Sequence, residues 1–255
     1  MSRVHLEING AVAEMRLDNP GKLNALTTGM LQMIADHCAG IEQNPDIRVV
    51  LLTAEAGKAF CAGADITEWA ELSAARFARH WVREGHRVFD RLARLSRPVI
   101  AVLNGHALGG GLELAAACDI RVMAPTATIA LPEARVGIVP GWSGTQRLAR
   151  LLPEPVVREM ALFGRRIPAE RAHALGFVAE VAEDPYRAAL DIANAATGLS
   201  PRATETGKYM IGAGAAEDRA AMIEALGAAA ISASDDRNEG VGAFLEKRPP
   251  EFSGL

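Results

Sequence analysis

The stretch from Asn104 to Asp119 constrains this chain more than any other. An apolar, strand-like run, Pro98 to Leu103, leads into it, and a short apolar helix leads out. Gly109, Gly110 and Gly111 form the join. Consecutive glycines at a strand-to-helix turn let the backbone approach a ligand with no side chain in the way. With the helix starting near Gly110, its first N–H groups lack an intrahelical partner and can receive an oxygen that gains negative charge. Glu113 follows Gly110 by three residues, about one helical turn, so donor and carboxylate look into the same space. An oxyanion donor beside an acid/base group is the minimal equipment for chemistry next to a carbonyl.

The rest of the chain reads as support for that join. Val4 to Ile8 and Val12 to Leu17 alternate apolar and polar residues around Asn9-Gly10, a strong hairpin signal. A helix is expected from about Thr28, with Met30, Ile34, Cys38 and Ile41 inward. Arg48 to Thr53 reads as a buried strand, followed by a loop of small residues from Gly57 to Asp65. Continuous helix is expected from Thr67 to Leu95, stopping at Pro98. Ile120 to Met123, Thr128 to Leu131 and Phe177 to Val181 are further strand candidates. Helices are expected at 145–152, 156–163 and 169–175, and again from about Pro185. Strand–strand–helix units followed by helices alone indicate an α/β core with a helical tail.

Composition excludes several partner classes. A formal charge of −4 points to neither nucleic acid nor an anionic membrane as a general partner. Three widely spaced cysteines fit a reducing compartment, so a cytoplasmic location is expected. No apolar run reaches the ~18 residues of a membrane span.

Five motifs in order resemble the enoyl-CoA hydratase/isomerase (crotonase) family: Gly57 to Ile66, Asn104 to Glu113, Pro132-Glu133, Pro140 to Leu148, and Phe244 to Arg248. The resemblance implies an α/β, crotonase-like spiral of ββα units over residues 1–190, carrying an acyl-CoA thioester site. Residues 191–255 would then form a helical region that builds a homotrimer or a dimer of trimers. Matched position by position, the resemblance implies backbone N–H groups of Ala64 and Gly110 as the oxyanion hole, with Glu113 and Glu133 as the working carboxylates. Lys22 to Leu26, including Ala25, and Ala62 to Ile66, including Gly63 and Asp65, would line the coenzyme A part of the pocket. Lys22 and Lys247 are candidates for phosphate contacts, and Gly141 would lie against the acyl end. Small residues are usual at the next position, where this chain has Trp142. An inward ring would narrow or re-aim the acyl pocket, and an outward one would pack at a subunit contact.

With both glutamates filled, the implied activity is enoyl-CoA hydratase, needing no metal or redox cofactor because coenzyme A is part of the substrate. The runner-up is an enoyl-CoA isomerase working with one carboxylate; a thioester hydrolase or lyase ranks behind it. His80, Glu84 and His86 are the nearest thing to a metal cluster, but His86 leaves the face shared by the other two. His106, in the glycine turn, is expected to be structural. Gly141 to Thr145 fails the nucleophile-elbow pattern, because position 145 is threonine. One feature competes: Arg76, Arg79, Arg83, Arg87, Arg91, Arg94 and Arg97 follow one face of the expected helix, with only Glu84 and Asp90 as acids nearby. Such a stripe can track phosphates, and a branch of the family is implied to bind RNA in this way. A solvated, salt-bridged face is the expectation, since no aromatic residues interleave with the arginines.

Overall fold

The computed structural model describes residues 2–213 and 234–254. Strands β1 (Arg3–Asn9) and β2 (Val12–Asp18) form the expected antiparallel hairpin, with Asn9 opposite Val12 and Gly10 at φ +61° in the turn. Helix α1 (Thr28–Gln43) starts where Thr27 accepts a side-chain hydrogen bond from the Met30 N–H. Met30, Ile34, Cys38 and Ile41 are all fully buried, as their helical spacing requires.

Three strand pairs then repeat one pattern. They are β3 (Val49–Ala54) with β4 (Ala59–Cys61), β5 (Val99–Leu103) with β6 (His106–Leu108), and β7 (Ile120–Met123) with β8 (Thr128–Ala130). The first member of each pair joins a six-stranded sheet; the second joins a four-stranded one. Strands β3, β5 and β7 pair in parallel, and so do β4, β6 and β8. Each turn of the chain thus lays one strand on each sheet, which is the ββα spiral.

The outer connections carry helices. After β4 come a 3-10 turn (Ile66–Glu68), α2 (Ala74–Arg76), a π-helical segment (Phe77–Val82) and α3 (Arg83–Ala93). After β6 comes α4 (Gly110–Ala116). After β8 come a 3-10 turn (Glu133–Val136), α5 (Gly144–Leu151), α6 (Glu154–Phe163), β9 (Ile167–Pro168), α7 (Ala169–Ala174), β10 (Glu180–Val181) and α8 (Pro185–Thr197). Two further helices are described, α9 (Pro201–Ala213) and α10 (Asp235–Glu246).

Strand β3 is buried along its whole length because both faces of the large sheet are covered. Val50 and Leu52 face the main core, while Val49 and Leu51 face Ala189 and Ala193 of α8. Arg121 on β7 is also buried. Its guanidinium donates to the carbonyls of Phe177 (2.5 Å), Cys118 (2.9 Å) and Asp119 (3.2 Å), and it lies 4.5 Å from the centre of the Phe177 ring. It thereby satisfies backbone oxygens left over where α4 ends. The three cysteines are free and buried, and burial pushes each thiol up to about 12.

Three expectations are corrected. The continuous helix from Thr67 to Leu95 is broken before Ser73, whose hydroxyl caps α2, and is over-wide across the π segment. The strand expected over Phe177 to Val181 shrinks to Glu180–Val181, because the N–H groups of Phe177 and Val178 instead turn back to the Ala172 carbonyl. Segments read as loop or turn, Ala59–Cys61 and His106–Leu108, are strands of the smaller sheet. Helix α8 runs through residue 190, and its Ala189 and Ala193 are buried on the same sheet. Part of the expected C-terminal helical region, 214–233, lies outside the described residues.

Candidate active site

Three neighbouring strands of the small sheet, β4, β6 and β8, end side by side, and the segments that follow them meet. After β4, Ala64 forms a parallel bridge with Leu26. Leu26 N–H donates to the Gly63 carbonyl and Asp65 N–H donates to the Leu26 carbonyl, both at 2.8 Å. That pattern uses the groups flanking Ala64, so the Ala64 N–H points the other way. After β6, Gly109 adopts φ +52° and donates its N–H to Ala130 at the end of β8 (2.9 Å). The next residue, Gly110, is the first of α4, where an N–H has no intrahelical acceptor. A Cβ placed on Gly110 would lie 3.4 Å from the Ala64 nitrogen, so the two amides are neighbours.

Two carboxyl groups face the same cavity with different partners. Glu113, 3% exposed, accepts on one oxygen from the N–H groups of Trp142 (2.8 Å) and Gly144 (2.7 Å). Glu133, 8% exposed, follows β8, and its Oε2 is buried with no hydrogen-bond partner among the described residues. Burial raises the pKa of both. The Glu133 carboxyl is pushed up to about 7 by burial and then by the charge of Glu113. For Glu113, burial is countered by the Gly144 and Trp142 amides and by the positive charge of Arg147. Two carboxylates so placed resist being charged together. The donors on Glu113 and the empty Oε2 on Glu133 put the shared proton on Glu133.

Trp142 points inward and is 3% exposed. Its indole N–H donates to the Trp81 carbonyl (3.2 Å), at the π segment. Its ring packs 5.2 Å from both the Trp81 and the Phe89 ring centres. Two glycines make the room: a Cβ on Gly85 would fall 2.1 Å from the indole nitrogen, and one on Gly110 would fall 2.8 Å from the ring. The inward alternative for Trp142 is therefore the observed one.

The cavity is about 260 Å³. Of the residues singled out in the sequence, Ala62, Gly63, Ala64, Ile66, Gly110, Glu113, Glu133, Gly141 and Trp142 line it. Lys22, Ala25 and Asp65 stand outside its lining. The Asp65 carboxylate caps the turn at Thr67 N–H (3.1 Å) and binds the Lys22 ammonium (2.6 Å), which together with the hydroxyl of Thr67 holds its pKa down despite burial. Ala25 is packed beside the Leu26–Ala64 bridge. Sequence reasoning missed Trp69, Phe77, Trp81 and Val82 as cavity residues, because it expected a continuous helix there. Gly85, a helix-weakening residue in an amphipathic run, was the available signal.

Other candidates sit elsewhere. The His106 Nδ1 accepts from the Thr128 N–H (3.1 Å), which ties β6 to β8. His86 bonds to Ser143 and Glu84 pairs with Arg87, and among the described residues no group of three or more His, Cys, Asp or Glu side chains could hold a metal ion. Lys247 is exposed at the end of α10. Arg76, Arg79, Arg83, Arg87, Arg91 and Arg94 are exposed, with Arg87 on Glu84 and Arg94 on Asp90. No helix among the described residues is long and apolar enough to cross a membrane.

A sequence model of the enoyl-CoA hydratase/isomerase family matches residues 7–254. The chain is 35% identical over 255 residues to the short-chain-enoyl-CoA hydratase of Clostridium acetobutylicum, covering 98% of this chain and 97% of that one. It is 35% identical to the mitochondrial methylglutaconyl-CoA hydratase of Mus musculus, over 98% of this chain and 82% of the relative. The crystal structure of an enoyl-CoA hydratase from Bacillus anthracis superposes with a TM-score of 0.94 at 33% identity, covering 99% of both chains.

Proposed function

Because the chain belongs to the enoyl-CoA hydratase/isomerase family and has its crotonase fold, we propose that it is an enoyl-CoA hydratase, adding water reversibly and syn across a 2-trans-enoyl-CoA to give a 3-hydroxyacyl-CoA. The observation that carries this reading is the pair of buried carboxyl groups on one cavity, one held by two amides and one with an oxygen left free.

The thioester oxygen rests on the N–H groups of Ala64 and Gly110. The Glu113 carboxylate takes a proton from water as its oxygen bonds to Cβ. The double-bond electrons move into the thioester, and negative charge grows on the oxygen between the two amides. Each such donor is worth about 3–4 kcal/mol in the transition state. Glu133 then gives its proton to Cα. The pair starts and ends with one proton, so the site is ready to run in reverse. No metal or redox cofactor takes part. The coenzyme A portion runs along Lys22 to Leu26 and Ala62 to Ile66, and the active assembly is a homotrimer or a dimer of trimers.

The test is loss of conjugated-thioester absorbance on crotonyl-CoA, cinnamoyl-CoA and branched enoyl-CoA esters, with Glu113→Gln and Glu133→Gln alongside. Each variant should fall by about 10²–10⁴, the usual contribution of an acid–base group. A Glu133→Gln enzyme keeping more than about a tenth of wild-type activity contradicts the assignment. Product analysis separates hydration from double-bond migration, since only hydration consumes water.

A further inference from the structure

The chain contains three tryptophans, and all three, Trp69, Trp81 and Trp142, line the one cavity that holds the two glutamates. Phe77 joins them, packed edge-on to Trp69 at 5.4 Å. Among the described residues no methionine, the side chain that adapts to flexible ligands, lines it. Beyond Glu113 and Glu133, Arg135 is the only charged residue in the lining among the described residues. The Trp142 part of this aromatic wall is also closely held. The Trp142 indole is fixed by its bond to the Trp81 carbonyl and wedged between Gly85 and Gly110. The Trp81 carbonyl belongs to the π segment, an irregularity that recurs at functional sites.

We propose that the acyl subsite is built for a planar aromatic ring, so that the preferred substrate is a 3-arylacryloyl-CoA. The inference rests on the hydratase reading for its chemistry, though not for its binding preference. Conjugation keeps the thioester, the double bond and the ring in one plane. A carbonyl seated on Ala64 and Gly110 therefore fixes where the ring goes, and the Trp142 ring stands directly beside Gly110. Size permits it: an apolar cavity of about 150 Å³ holds benzene, and this one is about 260 Å³. Each aromatic pair contributes about two- to tenfold in affinity beyond area burial.

Calorimetric titration with three unreactive saturated thioesters tests the preference without relying on turnover. 3-Phenylpropanoyl-CoA should bind at least about tenfold more tightly than butanoyl-CoA, and about threefold or more tightly than 3-cyclohexylpropanoyl-CoA, which has the same bulk without the π face. Trp142→Leu should erase the phenyl-over-cyclohexyl difference. Equal or reversed order in the wild-type protein overturns the inference, whether or not the variant folds. Dehydration of 3-hydroxy-3-phenylpropanoyl-CoA and 3-hydroxybutanoyl-CoA is followed in parallel. The expected binding order with neither compound dehydrated would sink the hydratase reading and leave the aromatic subsite standing. Dehydration of the butanoyl compound with the binding order reversed would do the opposite.

Discussion

Raising the pH from 7 to 9 should cut kcat/KM by about fifty-fold, and equally in both directions of the reaction. The number of protons shared by Glu113 and Glu133 sets this dependence. In the proposed hydration the proton starts on Glu133 and ends on Glu113, so the active enzyme in either direction is the form carrying one proton. Burial pushes the Glu133 carboxyl up to about 7, and the nearby charge of Glu113 adds to the rise. The one-proton form is then about half populated at pH 7 and about 1% populated at pH 9. On the acid side a second proton goes onto Glu113 and activity falls again, giving a bell. The assay is kcat/KM between pH 5 and 9.5, measured from the enoyl ester and from the hydroxy ester. The two profiles must superimpose, because the overall reaction neither takes up nor releases a proton. A flat profile between pH 6 and 9, or an upper limb in one direction only, would refute the shared-proton mechanism.

The same carboxyl makes a stability prediction. A Glu133 pKa raised from 4.5 to about 7 means the native state binds more protons than the unfolded state in that window, so stability is lost as pH rises through it. The loss approaches about 3 kcal/mol, and Glu133→Gln should therefore raise the unfolding midpoint at pH 8 but not at pH 4, as read by denaturant titration. Gly85→Ala should destabilise by about 1–3 kcal/mol despite its better helix propensity, because the new methyl meets the Trp142 indole. Tryptophan fluorescence should shift with it, and an unaltered spectrum and melt would contradict the wedge. Arg121→Leu should cost about 3 kcal/mol or more, since it strips donors from the buried carbonyls of Phe177 and Cys118 and from the carbonyl of Asp119. A melting temperature within a degree or two of wild type would mean that water replaces the guanidinium.

The parts legible in the sequence are those fixed by local period or by short-range geometry. The hairpin at Asn9-Gly10 and the inward row from Met30 to Ile41 need only a turn preference and a 3.6-residue repeat. Glu113 was legible because it is a single helical turn from Gly110. Strands β4 and β6 were not, being three residues each, too short for alternation to show. Asp65 sits among residues that line the cavity yet faces away, because its carboxylate is engaged by Lys22 and Thr67. The orientation of Trp142 depends on the missing side chain of Gly85 and on a carbonyl in the π segment, both remote in sequence. No window along the chain contains that information.

The spiral has a consequence for how such a site is free to vary. The amides of Ala64 and Gly110 and the Glu133 carboxyl, the proposed oxyanion hole and acid, follow three successive strands, β4, β6 and β8, of one sheet. The step between neighbouring strands is about 4.8 Å whatever chain lies between them. From β4 to β6 the chain detours through the π segment, α3 and β5, whereas from β6 to β8 it needs only α4 and β7. The spacing of the reacting groups is thus a screw pitch, set by hydrogen bonding across the sheet and indifferent to the length of thread unwound outside it. Connections can be lengthened, shortened or rebuilt around a new substrate while the catalytic spacing stays in tune. The segment bearing Trp69, Phe77 and Trp81 is one such connection, so its choice of ligand can drift without the chemistry having to move.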